Sequence, residues 1–596
     1  MKNILNLLLA ALLLFTACQG EKEEGSSQKA DLIIKNGKIA TLANHDEIVE
    51  ALAIKDGKFL AVGSNNEIEK FIGKDTKVID ASKRTVIPGL NDSHSHTIRG
   101  GLNYNLELRW DGVKSLKRAL EMLKEQADRT PEGQWIKVVG GWSEFQFEER
   151  RLPTLEEINA AVPDKPVIVT FLYTYGMLNK KAIEVLGYDK NTTFAGAEVQ
   201  LDKNQQPTGL LIAKPSAAII YLTLVKTPKL SPEDQYNSTL QYNRELNRLG
   251  LTSVVDAGGG GQFFPDNYQV MRKVADDKKL TLRIGYNIFN ANSPGKELQA
   301  WKKYLTLVKP GDDYDLFRPN GYMMAGAGEN IVWSAGDYEN FLQPRPELGH
   351  HMEAELEEAV TQFVENKWPF RIHGTYGESI ERFLDLFEKI NEKTPFNGLR
   401  WIIDHGETVS EESLDRIKAL GGSIAIQNRM MFQGEYFVDR YGIETAQHAP
   451  PIRKILEKGI PLGLGTDGAR VSSYNPWLAI YWITTGKTWG GLKHLSQENI
   501  LNRMDALRLM TYGSAQITGE EALKGTIEKG KFADFVILAK DYFTVDEEDL
   551  KNMNAVLTVV NGDIVYGEEE FAHLAPEIPE VSPAWSPVKF YGGYQY

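Results

Sequence analysis

The stretch Val86–His96, VIPGLNDSHSH, begins as an apolar run, turns at Pro88 and Gly89, and ends in two histidines one residue apart. Side chains at positions i and i+2 of a β-strand point to the same face of the sheet. Two imidazoles with this spacing can therefore bind one metal ion, and zinc readily accepts histidine nitrogens. The alternative is a pair of surface histidines after a strand, because HxH alone has low specificity.

Three further segments that read as strands each end in a residue that can bind a metal. His373 ends the apolar part of FRIHG, His405 does so in RWIIDHGE, and Asp467 ends IPLGLGTDG. The chain has only 10 histidines in 596 residues, so four of them at strand ends form a specific signal. The order HxH, H, H, D resembles the ligand pattern of the amidohydrolase superfamily. The resemblance implies metal ligands at His94, His96, His373, His405 and Asp467, at the C-terminal ends of barrel strands one, five, six and eight.

Apolar segments of strand length alternate with segments of helical apolar spacing through most of the chain. We therefore predict an α/β fold in which residues 86–519 form a (β/α)8 TIM barrel, with its chemistry at the C-terminal face. The predicted strands two to eight are LTSVVDAGG, LRIGYNIF, GYMMAGAGE, FRIHG, RWIIDHGE, SIAIQ and PLGLGTDG. A long insertion, at about residues 97–232, separates strand one from strand two.

The insertion contains the series GGW, RRLPT, PDKPV and LNKKAIEVLG, which resembles amidohydrolase family 3. That branch includes N-substituted formamide deformylases, and the resemblance extends over about residues 31–566. It implies that the insertion covers the barrel mouth and shapes the substrate pocket. Trp142 could either line this pocket or belong to the hydrophobic core of the insertion. The candidate substrate-binding residues are Trp142, Glu144 and Tyr175 in the insertion, and Glu329, Arg429 and Arg470 in the barrel.

Both ends of the folded part contain alternating apolar and polar residues around hairpin turn signals. Asn36–Gly37 and Asp56–Gly57 supply them near the start, and Asn561–Gly562 supplies one near the end. We predict a small β-sandwich built from residues 31–85 and 520–570, followed by a C-terminal tail at 571–596. The segment GTIEKGKFADFVIL is typical of the amidohydrolase family.

The first residues, MKNILNLLLAALLLFTACQG, have the pattern of a secretory signal whose apolar run is short for a membrane span. Cys18 is the only cysteine, and its context resembles a bacterial lipobox. We predict a signal peptide at 1–18, lipidation of Cys18 and a flexible tether at 19–30. The alternatives are an uncleaved anchor and an ordinary signal peptide. The protein would be an exported bacterial lipoprotein, periplasmic or at the outer membrane or cell surface, held to the membrane only by lipid.

The composition is that of a soluble globular protein, with 42% hydrophobic and 25% charged residues. A net charge of −14 argues against nucleic acid as a partner, because phosphate binding requires a basic surface. We expect a small-molecule substrate, and a homodimer stays an open alternative.

The family resemblance also raises the question of how many metals bind. Most binuclear relatives carry a carboxylated lysine on strand four that bridges two ions, and Met323 stands at the corresponding position. A thioether is a poor zinc ligand and cannot be carboxylated. Lys214 and Glu329 are conceivable replacements. We therefore expect one divalent metal, zinc, with two ions bound through an unusual bridge as the alternative.

A metal in this cage lowers the pKa of bound water towards about 7, which yields a hydroxide that attacks a carbonyl carbon. Asp467 is the expected proton shuttle and His405 the second catalytic candidate, and the neighbouring Asp404 or Glu407 could orient an imidazole. The predicted function is hydrolysis of a C–N bond in a linear or cyclic amide. A deaminase of the same superfamily and a non-catalytic surface lipoprotein are the alternatives.

Overall fold

The computed structural model describes residues 28–43, 47–214, 217–292, 294–311, 321–338, 341–342 and 344–595. The predicted signal peptide, the lipidation site Cys18 and most of the tether lie outside the described residues. Within the described ranges, no helix combines the length and the apolar character needed to cross a membrane.

Eight parallel strands form one sheet in which each strand pairs with its neighbours along the chain, as predicted for a TIM barrel. Their side chains are almost all buried, as expected where helices cover a parallel sheet. The eight strands are Leu90–Ser95, Leu251–Asp256, Arg283–Ile288, Tyr322–Ala327, Phe370–Gly374, Trp401–His405, Ser423–Gln427 and Leu462–Gly465.

The first and last barrel strands meet through polar contacts that close the sheet. The buried Asp92 carboxylate accepts hydrogen bonds from the Thr466 amide at 3.0 Å and the Thr466 hydroxyl at 2.6 Å. Beyond these, the Asp467 amide donates to the His94 carbonyl at 2.8 Å. A β-carbon at Gly465 would lie 2.7 Å from the His94 nitrogen, so glycine allows this close approach. The closure therefore brings the two ends of the ligand pattern together.

Helices follow the strands and pack on the outside of the barrel. In Met352–Glu365, the buried residues Met352, Leu356, Ala359 and Phe363 recur at helical spacing and form one apolar face. The helices of this layer are Thr97–Asn103, Pro232–Arg248, Gln269–Asp276, Glu297–Leu307, Met352–Glu365, Gly377–Lys393, Glu411–Ala419, Arg429–Tyr441, Ile443–Ala446, Ile452–Glu457, Pro476–Thr485, Arg503–Arg508 and Ser514–Thr518.

Two further sheets share one hydrophobic core, and the six-stranded one combines strands from both chain ends. That core includes Ile34, Phe59, Phe535 and Val559. The four-stranded sheet contains Lys58–Gly63, Ala51–Lys55, Leu32–Lys35 and Lys77–Asp80. The six-stranded sheet contains Asp563–Gly567, Ala555–Val560, Phe535–Leu538, Thr85–Pro88, Lys38–Ala40 and Ile48–Val49.

The hairpin prediction at Asn36–Gly37 is wrong. The strands on either side of it belong to different sheets, so the turn moves the chain from one sheet to the other. Asp56–Gly57 and Asn561–Gly562 do join antiparallel neighbours, and all four of these residues have positive φ. The chain therefore changes direction at all three predicted places. The flanking strands pair with each other only at Asp56–Gly57 and Asn561–Gly562.

The insertion after barrel strand one forms an α/β unit with its own sheet and its own apolar clusters. Its strands, in sheet order, are Ala197–Leu201, Pro207–Ala213, Tyr175–Leu178, Val167–Phe171 and Ile136–Val139. Its helices are Leu116–Arg129, Leu155–Ala161, Lys180–Leu186 and Ala218–Val225. The C-terminal tail packs against it, since Gln126 donates to the Trp585 carbonyl at 2.9 Å and the Gln595 amide donates to the Asp111 carbonyl at 3.0 Å.

Short elements complete the described chain. They are the α-helices Asn65–Glu69 and Pro587–Tyr591, the 3-10 helices Glu144–Gln146, Asp266–Tyr268, Trp333–Ala335, Glu548–Asn552 and Glu569–Leu574, and one π-helical turn at Leu509–Gly513.

Candidate active site

The five residues of the ligand pattern meet at the C-terminal mouth of the barrel. His94 lies within the first strand, His96 directly follows it, and His373 and His405 lie at the ends of strands five and six. Asp467 follows strand eight, and its Oδ1 is 2.9 Å from His96 Nε2 and 3.6 Å from His94 Nε2. His405 and Asp467 both adopt positive φ, 80° and 54°, a rare conformation that is often found at functional sites.

Glu329 is the centre of this cluster. Its Oε2 lies 3.6 Å from His94 Nε2, and its Oε1 lies 3.8 Å from His96 Nε2. The same Oε2 lies 3.2 Å from His373 Nδ1 and 3.4 Å from His405 Nε2. One carboxylate therefore faces the strand-one histidines and the histidines of strands five and six. Three sets of ligand atoms here lie close enough together to hold a metal ion: His94, His405 and Asp467; His94, His96 and Glu329; and Glu329, His373 and His405.

Of the two conceivable replacements for the missing lysine, Glu329 lies in the cluster and Lys214 does not. Met323 is the second residue of strand four and lines a cavity with Gly285 and Arg400, near the start of the strands. Glu329 follows the end of that strand, where its amide donates to the Ala257 carbonyl at 3.1 Å. Lys214 is exposed and paired with Glu198, away from the cluster.

A buried ion pair orients His94. Its Nδ1 lies 2.9 Å from Asp404 Oδ1, and Arg371 Nε donates to Asp404 Oδ2 at 2.7 Å. The expectation that Asp404 orients an imidazole is therefore confirmed, and that imidazole belongs to His94 on strand one. Nδ1 of His405 contacts Gln427 Oε1. With each Nδ1 engaged in this way, the Nε2 atoms of His94 and His405 face Glu329.

Arg429 and Glu407 form the second buried pair behind the cluster, with Nη2 2.6 Å from Oε1. Arg429 Nε also approaches Asp467 Oδ2 at 4.0 Å, and Nη2 donates to the Thr375 hydroxyl at 3.3 Å. The side chain is fully buried. Arg429 therefore positions Asp467 from the buried side of the cluster. The structure gives no support to direct contact between Arg429 and a substrate.

The charges of the cluster favour a cation. Burial lowers the pKa of His94, but Asp404, Asp467 and Glu329 raise it to about 10 overall. Burial, Arg429 and His373 lower the pKa of His405 to about 3, so this imidazole is neutral. Despite burial, the neighbouring histidines hold the pKa values of Glu329 and Asp467 well below the usual carboxylate range.

The donor set fits a divalent metal. Nε2 of His94 is buried and has no hydrogen-bond partner among the described residues, although two carboxylate oxygens lie 3.6 Å away. Buried polar atoms are normally satisfied, and a cation held between this nitrogen and the two oxygens would satisfy all three. Imidazole and carboxylate ligands with fixed second contacts are typical of zinc and other first-row transition metals.

The sequence profile of the amidohydrolase family matches residues 77–566, which is most of the chain. The chain belongs to the amidohydrolase family. This confirms the membership expected from the ligand order and from the motifs of the insertion.

Relatives of this amidohydrolase align over nearly their whole length. The putative amidohydrolase YtcJ of Bacillus subtilis is 24% identical over 546 residues, covering 89% of this chain and 98% of the relative. The N-substituted formamide deformylase of Arthrobacter pascens is 22% identical over 565 residues, covering 91% and 99%. An uncharacterized metal-dependent hydrolase from Pyrococcus horikoshii has the same fold, with a TM-score of 0.61, 21% identity, and coverage of 87% and 99%. Membership of the amidohydrolase family makes this chain a metal-dependent hydrolase.

Side chains that the sequence analysis did not single out also surround the cluster. The Tyr338 ring lies 4.8 Å from the His373 ring, and the rings of Tyr173 and Tyr221 lie 5.4 Å apart. Burial raises the pKa of Tyr173, with further contributions from Tyr221 and Asp467, so this tyrosine of the insertion lies close to the metal ligands. Proximity in the fold identifies these residues, because Tyr221 and Tyr338 lie outside any motif and Tyr173 is separated from the candidate Tyr175 only by Thr174.

The candidates from the insertion lie in three different environments. Trp142 is fully buried, packs against Trp110 and Phe171, and donates to the Thr170 carbonyl at 3.1 Å. This corrects the expectation that Trp142 contacts substrate, and it agrees with the alternative of a core residue. Glu144 accepts a hydrogen bond from Tyr436 on the helix after strand seven, which ties the insertion to the barrel.

Tyr175 is half-buried and stacks on Phe171 at 6.4 Å. Arg470 is half-buried in the loop after Asp467, and its guanidinium lies 5.1 Å from the centre of the Tyr221 ring. Of the six substrate-binding candidates, Glu329 lies at the centre of the ligand cluster and Arg470 lies beside it.

Proposed function

We propose that this amidohydrolase cleaves a C–N bond of a linear or cyclic amide at a centre of two divalent ions, with zinc as the expected metal. The observation that carries the proposal is the buried Glu329 carboxylate between the two groups of histidines. An anionic ligand at this point offsets the repulsion between two neighbouring divalent charges. The sequence alone predicts a single ion, because Met323 replaces the lysine that bridges two ions in relatives.

Each ion has a complete set of candidate ligands, with Glu329 shared. The first set is His94, His96, Asp467 and Glu329, and the second is His373, His405 and Glu329. His405 is thereby assigned to metal binding, and its lowered pKa leaves the lone pair available. The imidazole-rich donor set favours zinc over magnesium or calcium.

A divalent ion in such a cage supplies a water acidic enough to attack near neutral pH, together with polarisation of the amide carbonyl. Asp467 is the proton carrier of the reaction, because it is a carboxylate at the edge of the cluster with Arg429 behind it. It accepts the proton of the attacking water and returns it to the leaving nitrogen. Tyr338, beside His373, borders the same space, and its hydroxyl donates a hydrogen bond to Asn330 Oδ1 at 2.9 Å.

A deaminase would use the same ligands and differ in the group that leaves. The assembled cluster argues against a non-catalytic lipoprotein, because buried histidines and carboxylates that bind nothing carry a large desolvation cost. Amine release from amides would support the proposal, whereas ammonia release from aminated heterocycles would support the deaminase.

The test combines metal analysis with a hydrolysis screen on the full chain. Metal per chain is measured by mass spectrometry, and N-formyl amines, N-acyl amines and cyclic amides are screened alongside aminated heterocycles. We expect about two ions and amine release, with Asp467→Asn losing turnover by at least about a thousandfold while its circular dichroism stays unchanged. Metal-free protein after growth with zinc, or full turnover by Asp467→Asn, would contradict the proposal.

We also propose that the protein is an exported lipoprotein anchored through Cys18. The support is the position of the single cysteine directly after an apolar leader and small residues. Cys18→Ala should move the protein from the membrane fraction to the soluble fraction or leave an uncleaved precursor. A mature-sized product that stays with the membrane would refute lipidation at this residue.

A further inference from the structure

Two arginines lie at the rim of the candidate metal cluster. Arg99 follows His96 on the helix Thr97–Asn103, and Arg470 follows Asp467 in the loop after strand eight. Arg99 Nη1 lies 3.2 Å from the Gly260 carbonyl oxygen, and Arg470 Nη1 lies 3.4 Å from the same oxygen. Within the described ranges, neither guanidinium has a carboxylate within 4 Å, and Nη2 of Arg99 has no hydrogen-bond partner.

The chain holds this arrangement in place from several sides. Asp256 accepts a hydrogen bond from the Ile98 amide at 2.7 Å, which fixes the start of the Arg99 helix. A β-carbon on Gly259 would lie 2.8 Å from His96 Nδ1 and 2.9 Å from Arg99 Nη1. Glycine in this loop therefore lets its backbone fit between a predicted metal ligand and the guanidinium.

The insertion fixes the second arginine. The Gly141 amide donates to the Arg470 carbonyl at 2.8 Å, and a β-carbon on Gly140 would lie 1.9 Å from that oxygen. The glycines of the GGW motif thus allow the insertion to pack on the loop that presents Arg470. Tyr221, also from the insertion, lies under its guanidinium at 5.1 Å.

Two like charges that share one neutral acceptor are unfavourable unless an anion joins them. Burial and the neighbouring Arg99 lower the pKa of Arg470, whereas Tyr173, Tyr221 and Asp467 raise the pKa of Arg99 despite its burial. Arg99 is 5% exposed, whereas Arg470 is only half-buried and can be reached from the cavity. A guanidinium binds carboxylate or phosphate oxygens through paired hydrogen bonds. The Coulomb attraction of an oxyanion to both arginines would remove the cost of holding them together.

We propose that Arg99 and Arg470 form an oxyanion-binding subsite, so that the substrate carries a carboxylate or a phosphate-type group close to its scissile bond. The inference rests on the proposed amide hydrolysis for the position of that bond. Arg470 was a candidate for substrate contact from the sequence, and the structure adds Arg99 and the shared geometry. The subsite would select N-acylated acids over neutral amides.

The probes are three matched compounds: N-acetylglycine, the neutral N-acetylglycinamide, and the phosphonate analogue N-acetylaminomethylphosphonate. Their dissociation constants are measured by calorimetry on the zinc-loaded full chain. Hydrogen bonds between charged partners lead us to expect at least about tenfold tighter binding of an anionic probe than of the amide. The carboxylate and phosphonate arms identify which oxyanion the subsite prefers.

The variants are Arg99→Gln and Arg470→Gln, together with the charge-retaining Arg99→Lys and Arg470→Lys. The glutamine variants should lose the anion preference to within about twofold, and the lysine variants should keep part of it. Arg118→Gln, on the exposed surface of the helix Leu116–Arg129, should keep the preference in full. Metal content is measured for each variant, so that loss of the metal centre is not mistaken for loss of the subsite.

The outcomes separate the two proposals. Arginine-dependent anion preference without cleavage of any amide would leave the subsite standing and refute the hydrolase proposal. Cleavage of neutral amides with no anion preference would support the hydrolase proposal and refute the subsite. No binding of any probe by the wild-type chain, or an unchanged preference in the glutamine variants, would overturn the subsite.

Discussion

Replacing Glu329 by glutamine is the sharpest test of the proposed metal centre. Glutamine keeps the shape and one oxygen, but it removes the negative charge that lies between 3.2 and 3.8 Å from the four histidines. Two unit charges about 4 Å apart attract by about 4 kcal/mol at an effective dielectric constant of about 20. That energy corresponds to about a thousandfold in affinity.

We therefore expect Glu329→Gln to hold about one ion per chain or fewer after dialysis, where the wild type holds two. Turnover should fall by at least about a hundredfold, because the remaining ligands no longer fix the second ion. Metal is counted by mass spectrometry, and circular dichroism checks that the fold is kept. Retention of two ions and of wild-type turnover would refute the bridging role of this carboxylate.

Glu144→Gln is the matched control for that experiment. Glu144 is a half-buried carboxylate of the insertion, and its partner is the Tyr436 hydroxyl and not a histidine. Its replacement should leave the metal content unchanged. An equal loss of metal in both variants would mean that general destabilisation, and not the bridge, explains the result.

Three further outcomes follow from the structure. Met323→Lys should leave the metal content unchanged, because residue 323 faces a cavity near the start of the strands; an added ion would contradict this placement. Gly140→Ala should lower the free energy of unfolding by about 1–3 kcal/mol in urea titrations, because its β-carbon would lie 1.9 Å from the Arg470 carbonyl oxygen. Burial lowers the pKa of His494 from 6.5 to about 4, so below pH 6.5 the unfolded chain binds a proton that the folded chain does not. Stability should fall by about 3 kcal/mol between pH 6.5 and about 4 from this group alone. The His494→Gln variant keeps an acceptor for the Trp482 indole, and its stability should not show this decrease at low pH. The same dependence of stability on pH in the variant and the wild type would contradict the role of His494.

The residues at strand ends could be predicted from the sequence alone. His373, His405 and Asp467 follow apolar runs, His94 follows one after a short polar stretch, and parallel barrel strands bring their C-terminal ends to one face. Their meeting point follows from local periodicity together with a general property of the fold. The barrel itself could be predicted for the same reason, because each of its strands and helices has a clear local pattern.

Other features depended on contacts between distant parts of the chain, which no local pattern encodes. Asn36–Gly37 has the same turn chemistry as Asp56–Gly57, and only the packing of the two sheets decides which turn joins neighbours. Glu329 lies beyond its strand, and its place is set by hydrogen bonds to Ala257 and His373. Arg99 lies on a helix, and it becomes one half of a pair only because closure of the barrel and docking of the insertion bring Arg470 beside it. The sequence by itself therefore determined the family, the barrel and the candidate ligands at strand ends, whereas tertiary packing decided that Glu329 lies among the four histidines and that Arg99 lies beside Arg470.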